Sequence, residues 1–368
     1  MYLDWARGIA VLLMIEAHTS DAWTKAAVRK TAAFRDATIL GGFAAPLFLW
    51  LAGLAIVLSA TRTFERTGSR RLAVEMACRR GAEIFILAFL FRLQGFILTP
   101  GGSPVTLFRV DVLNIMGPSM VVAGLIWGLT QTTPSRVTVY AAVASAIAML
   151  TPIVRASPFV DALPIWFQWN LRPAGEHTVF TLFPWSGFVF AGGAAGALMA
   201  AAREERAERR ALAVLGFAGA AIVALGFYTA AQPSIYRVSS FWTSSPAWFA
   251  IRAGILMIAL STVFAVDGIS HASTKTRNSS RLFRILVLSW QEPLAALGRR
   301  SLFVYWIHVE LVYGYATWPL RQRLPLWGTA VAFGVFCVLM YGAVVLRDRL
   351  AGIWRTRPMG PTAQTATA

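Results

Sequence analysis

Charge is scarce in this chain, and acidic charge is scarcest. Of 368 residues only 14% are Asp, Glu, Lys or Arg, and 17 are acidic, against roughly 25% charged in ordinary soluble domains. A soluble protein of this size needs far more polar residues to cover its surface, so a soluble enzyme, a coiled coil and a disordered chain are excluded. Cysteine is almost absent. Cys78 falls in a basic stretch and Cys337 within an apolar run, and two thiols at different expected depths make no disulfide framework. A cleavable secretory signal is missing too. The first apolar run, 9–15, has no basic region before it beyond Arg7 and leads into Glu16, His18 and Asp21, not into small residues.

Apolar residues make up 57% of the chain. A bilayer span takes about 20 of them, so the supply suffices for about ten spans. Apolar runs between charged breaks place these near 3–23, 37–60, 82–99, 111–131, 137–154, 179–200, 211–231, 247–267, 298–318 and 326–346. No alternating ten-residue strand pattern occurs, which excludes a β-barrel. The expected fold is all-α: a polytopic integral membrane helix bundle of about ten transmembrane helices. Residues 1–350 form one transmembrane domain, and 351–368 form a Thr/Ala-rich cytoplasmic tail expected to be disordered. Glycines within the spans, such as Gly192, Gly193 and Gly196, are read as sites of close helix packing.

A net charge of +17 would suit nucleic acid on a polar domain, but here the basic residues sit between apolar runs. Counted by loop, Lys and Arg favour one side about two to one, which places both termini in the cytoplasm. The inner loops carry Arg62, Arg66, Arg70, Arg71, Arg79 and Arg80, then Arg203 to Arg210, then Lys275 to Arg300. These read first as topological anchors, and second as sites for anionic lipid or a phosphorylated cytosolic ligand. The longest inner loop, 268–297, contains an amphipathic piece around Leu282 to Leu288. The outer loop 155–178 carries Trp166, Trp169, Asn170, Arg172, Glu176 and His177. That composition suits a sugar and equally an interfacial aromatic belt.

Ionisable residues inside spans are costly, so each is a functional candidate. The first span holds Asp4, Arg7, Glu16, His18 and Asp21. Arg7 and His18 are eleven residues apart, about 20° from full registration, so both share a face with about 16 Å between them along the axis. Asp4, one turn before Arg7, can pair with it. Glu16 points away from His18 toward another helix. The ninth span holds Arg299, Tyr305, His308 and Glu310. Arg92 lies in the outer half of the third span, and Asp111 and Asn114 open the fourth. These four spans can form one polar cluster in the outer half of the membrane. His177 is a further candidate, and His271 reads as a solvated loop residue.

The opening Leu3-Asp4-Trp5-Ala6-Arg7-Gly8-Ile9-Ala10, followed by Met14 and His18, resembles the start of the heparan-α-glucosaminide N-acetyltransferase catalytic domain and its bacterial relatives. So do Phe43 to Gly53, Asp111 to Gly117 and Phe183 to Gly187. Leu297 to His308 resembles the family's late Leu-Gly-Arg-Ser-Leu-Tyr-His element. Arg7 and His18 at this spacing are also the signature of the related membrane acyltransferase type-three family, which O-acylates bacterial glycans. Two departures stand out. Residues for the animal enzyme's luminal N-terminal domain are not found here. That enzyme's histidine lies farther along its first outer loop, where this sequence has no histidine between His18 and His177; His18 matches the bacterial relatives.

The resemblance implies a transmembrane acyltransferase of the bacterial cytoplasmic membrane. It would move an acyl group, acetyl first among candidates, from cytoplasmic acyl-CoA to a sugar amine or hydroxyl outside. His18 is then the expected general base, with Asp21 or Asp111 orienting it. His308 and Tyr305 are expected to donate to the thioester oxygen, and Arg7, with its neighbour Asp4, to hold the CoA end. Arg92, Asn114, Trp169, Asn170 and His177 are expected toward the acceptor. The expected partners are the lipid bilayer, acyl-CoA and a glycan or glycolipid acceptor, with a homodimer left open and no metal or nucleic acid. A transporter or flippase using the same buried charges is the rival from another class.

Overall fold

The computed structural model describes residues 1–98, 103–174, 178, 180–275 and 281–356. Among these residues the chain is helical, with no strand beyond two isolated bridges, Thr24 to Leu324 and Val110 to Thr178. The helices are α1 (Tyr2–Trp23), α2 (Ala32–Gly41), α3 (Ala44–Thr67), α4 (Arg70–Leu98), α5 (Val112–Leu129), α6 (Thr133–Arg155), α7 (Pro158–Asp161) and α8 (Ile165–Leu171). They continue with α9 (Leu182–Ala200), α10 (Glu205–Ala230), α11 (Pro246–Lys275), α12 (Arg281–Arg299), α13 (Ser301–Tyr313) and α14 (Leu326–Thr356).

Among the described residues, seven helical stretches are long and apolar enough to cross a membrane. They are Ala32–Thr67, Val112–Leu129, Thr133–Arg155, Leu182–Ala200, Glu205–Ala230, Pro246–Gly268 and Leu326–Ile353. The other three expected segments are helical as well, but differ in kind. Asp4, Arg7, Glu16 and Asp21 interrupt the apolar character of α1, and α4 is charged along its first half and again at Arg92. Only 13 residues make up α13. The outer helices expose their apolar side chains: Phe217 is 80% exposed, Val338 72% and Val335 63%. In water such faces would aggregate; in lipid they are solvated.

Local chemistry sets several boundaries. Gly68 ends α3 at φ 67°, in the left-handed region that glycine enters without steric cost, and its N–H donates to the Phe64 carbonyl. Its position lets α4 begin two residues later, at Arg70. The Asp111 side chain accepts from the first turn of α5, while the Asn114 amide oxygen accepts from the Asp111 N–H, a reciprocal capping box. Thr132 caps α6 by accepting from Ser135 N–H. The segment expected as one span near 37–60 is divided at Gly42–Phe43, where the Arg252 guanidinium donates to the Gly42 carbonyl at 2.5 Å and stacks on Phe43. The long basic loop expected at 268–297 is largely helix, shared between α11 and α12, and the amphipathic piece lies within α12.

Small residues bring key helices together. A Cβ on Gly53 would stand 1.8 Å from the Val189 carbonyl oxygen, and one on Gly192 would stand 1.8 Å from that of Trp50. The backbones of α3 and α9 therefore touch. The same device presses α12 onto α1: a Cβ on Gly298 would meet the Asp4 carbonyl oxygen at 1.8 Å. Gly298 and Asp4 both fall in the recognisable motifs, and their contact sets the α12–α13 junction against the start of α1. Around α1 stand α2, α3, α11, α12, α13 and α14, so a helix carrying Asp4, Arg7, Glu16, His18 and Asp21 is enclosed on several sides.

Candidate functional site

A cavity of about 2320 Å³ follows α1. Its wall includes Asp4, Arg7, His18 and Asp21 from that helix, which spread it over about 25 Å of helix axis. Residues of α3, α4, α5 and α13 complete the wall, among them Phe48, Phe91, Met116 and Tyr305. Arg7 and His18 do share the cavity face, as the helical arithmetic requires.

At the Arg7 end the wall gathers arginines from four places in the chain. Arg62 and Arg66 come from α3, Arg79 and Arg80 from α4, Arg299 and Arg300 from the α12–α13 junction, and Arg347 from α14. Arg79 and Arg80 share one acid, Glu83, at 3.2 and 3.1 Å, while Arg300 and Arg347 share Asp348 at 3.0 and 2.9 Å. Arg7 pairs with Asp4 at 3.1 Å. No ion pair holds Arg62 or Arg66 among the described residues. The consequence is an excess of fixed positive charge at a wide, hydrated mouth.

Toward the other end one ion pair is largely desolvated, while Asp21 remains 62% exposed. Arg92 meets Asp111 at 2.5 Å, with side chains 19% and 17% exposed. The Tyr305 hydroxyl approaches the same carboxylate at 3.5 Å. Asp21 accepts from the Tyr313 hydroxyl at 2.9 Å and pairs with Arg29 at 3.5 Å. Arg109, Glu310, Trp185 and Trp306 also face the cavity here. The expected polar cluster of α1, α4, α5 and α13 therefore exists. Neither Asp21 nor Asp111 is hydrogen-bonded to His18 among the described residues; arginine and tyrosine occupy both.

His18 sits between these ends. Its ring lies edge-on to two others, 5.1 Å from His308 and 5.5 Å from Tyr313 between centroids. His18 Nδ1 is buried without a hydrogen-bond partner, which leaves Nε2 to the cavity. His308 is fully buried and is not part of the cavity wall. It therefore stands behind His18, away from the place where a donor to a thioester oxygen would act. Its Nδ1 lies 3.0 and 2.9 Å from the Val304 and Tyr305 carbonyls.

Other acceptor-side candidates go elsewhere. The Asn114 side chain serves the α5 cap. Trp169 packs with Val110 and Ile115 in a separate cluster, and the Asn170 amide donates to the Trp166 carbonyl. Neither Trp169 nor Asn170 lines the cavity. His177 and the tail from 357 lie outside the described residues, and α14 continues to Thr356. Glu16 meets another helix as expected: a Cβ on Gly41 would stand against its Oε2. Tyr313, Trp185 and Arg109 are cavity residues that the sequence did not mark as site residues, and the arginines of the mouth read there first as topological anchors and only second as a site for a phosphorylated ligand. Most of the arginines were visible only as loop charge.

Residues 1–233 match the sequence profile of the heparan-alpha-glucosaminide N-acetyltransferase catalytic family. The chain belongs to this family. The match contains Arg7, His18, Arg92 and Asp111, while His308 lies beyond it. No curated protein matches the chain. The family's acetyltransferase chemistry can thus be weighed against the cavity's own geometry.

Proposed function

We propose that this protein transfers an acetyl group from cytoplasmic acetyl-CoA to a sugar amine, or a hydroxyl, on the outer side of a bacterial cytoplasmic membrane. The observation that carries the reading is one continuous cavity with an arginine-rich mouth at one end and His18 farther along the same helix. A polyanionic donor fits that mouth. Guanidinium groups bind phosphate oxygens in bidentate fashion and retain their charge. Arg62, Arg66, Arg79, Arg80, Arg299, Arg300 and Arg347 surround it, and Arg7 stands one step inward. An extended pantetheine is of the length scale that separates Arg7 from His18.

At His18 the reaction needs a base on the acceptor and charge stabilisation on the carbonyl oxygen. His18 Nε2 takes a proton from the acceptor nitrogen as that nitrogen attacks the thioester carbonyl. The carbon–sulfur bond then breaks, and the CoA thiolate leaves with the proton returned by His18. In this reading the Tyr305 hydroxyl, on the cavity wall near Asp111, donates to the developing oxyanion. Arg92 and Asp111 hold that wall together.

The reading places both termini in the cytoplasm and loop 155–178 outside. A cysteine introduced at Asn170, in a chain with Cys78 and Cys337 replaced, should react with an impermeant maleimide from outside intact cells. Reaction only after permeabilisation refutes the orientation. Purified protein in vesicles, given radiolabelled acetyl-CoA and a glucosaminide acceptor, should yield acetylated sugar with release of CoA. Movement of unmodified acceptor or donor across the vesicle membrane, with no acetylated product, would favour a transporter instead.

A further inference from the structure

The geometry points to His308 as a positioning residue for His18: its Nε2 accepts the proton of His18 Nδ1 and so directs the lone pair of His18 Nε2 into the cavity. The inference rests on the acyl-transfer reading for its purpose, but its chemistry is separate and is tested separately.

Two buried nitrogens lack a partner on adjacent rings. His18 Nδ1 and His308 Nε2 are both enclosed without a hydrogen bond among the described residues. The rings are edge-on at 5.1 Å between centroids. Subtracting the two ring radii leaves a hydrogen-bonding separation when the nitrogens face each other, so a rotation of the His18 ring that brings them face to face satisfies both. Leaving them apart would cost the desolvation of two polar atoms.

The backbone decides which nitrogen donates. His308 Nδ1 stands within 3.0 Å of two carbonyl oxygens, Val304 and Tyr305, which only accept. The Nδ1 of His308 therefore carries the hydrogen, and a neutral ring leaves Nε2 as an acceptor. The partner facing that acceptor must donate, so His18 is protonated at Nδ1. His18 Nε2, on the cavity side, is then the free base. The chain carbonyl, His308, His18, cavity is a relay of fixed tautomers built from one α13 turn. It takes the place that a carboxylate holds behind histidine in hydrolase triads. Here Asp21 and Asp111 are already engaged by Arg29, Tyr313, Arg92 and Tyr305.

The test uses full-length protein in lipid, with nitrogen-15 labelled histidine and His18 assigned by loss of its signals in His18→Asn. The expected spectrum at neutral pH shows His18 protonated at Nδ1 and bare at Nε2, and His308→Phe removes that preference. A His18 protonated at Nε2 in the wild-type protein overturns the inference, whether or not the protein transfers acetyl groups. The kinetic counterpart compares His308→Phe, which keeps a ring but no acceptor, with His308→Gln, which restores an acceptor oxygen. The Phe variant should lose about 10–100-fold in kcat with KM for acetyl-CoA unchanged, and Gln should recover much of it. Equal loss in both, or loss in neither, overturns the positioning role. If His308→Phe does not fold, the wild-type spectrum still decides. Absence of acetyl transfer by wild-type protein, with the tautomer as expected, counts against the proposed function alone.

Discussion

The two ends of the cavity are built from the same residue types and behave differently. At the Arg7 end, arginines outnumber acids, two acids, Glu83 and Asp348, serve two arginines each, and side chains such as Arg79 are 80% exposed. At the far end, Arg92 and Asp111 form a one-to-one pair with little solvent. A hydrated excess of charge attracts a multivalent anion and lets it leave. A desolvated, matched pair fixes geometry and leaves no net charge to attract an ion. The contrast separates binding from chemistry along a single helix. His18 stands where the character changes.

The largest expected effect lies at that change. His18→Ala should lower kcat by about 10²–10⁴-fold while the protein stays folded, because an interhelical hydrogen bond in a membrane averages only about 0.6 kcal/mol. Steady-state rates together with thermal unfolding in detergent check both parts. A variant that turns over at the wild-type rate removes His18 from the mechanism.

Next in size are changes to the frame that holds the two ends in line. Gly192→Val should destabilise by about 1–3 kcal/mol, because its side chain would strike the Trp50 carbonyl. Gly334→Val, on α14, has open space at its Cβ position and should leave the unfolding temperature nearly unchanged. Comparable melting of the two variants would contradict the tight α3–α9 contact.

A smaller difference probes the far end itself. Asp111 both pairs with Arg92 and caps α5, whereas Arg92 only pairs. Asp111→Ala should therefore be more destabilising than Arg92→Met by about 1 kcal/mol, the worth of a cap. Equal destabilisation would mean that the capping box contributes nothing. Least of all, Arg80→Gln should raise KM for acetyl-CoA no more than about fivefold, since an exposed charge contributes little, and should leave kcat alone.

Much of this arrangement was legible in the sequence. The apolar runs marked the helices, because length and hydropathy are local properties. Helical phase alone put Arg7 and His18 on one face, and the cavity uses that face. The polar residues of α1, α4, α5 and α13 were recognisable as costly within lipid, which made a shared cluster possible but did not fix their convergence. What stayed hidden was tertiary. The Gly42 carbonyl is freed because Pro46 has no N–H, but the group that meets it, Arg252, is distant in sequence. The arginine mouth draws on α3, α4, the α12–α13 junction and α14, and each piece alone looks like a topological anchor. His308 and His18 are separated by most of the chain, so their ring contact has no local signal. Asp111 looked available to orient a histidine because its cap and its Arg92 partner emerge only when α4 lies against α5. Trp169 and Asn170 had a sugar-binding composition, but packing claimed both side chains.

The separation of binding from chemistry is tested most directly by titrating CoA calorimetrically into three purified proteins: wild type, His18→Ala, and Arg62→Gln combined with Arg66→Gln and Arg80→Gln. The account predicts that His18→Ala binds CoA as wild type does, whereas the triple variant binds at least about tenfold more weakly, a loss of about 1.4 kcal/mol, and does so less steeply with falling salt. A triple variant that binds CoA as tightly as wild type, or a His18→Ala protein that loses CoA binding, would contradict it.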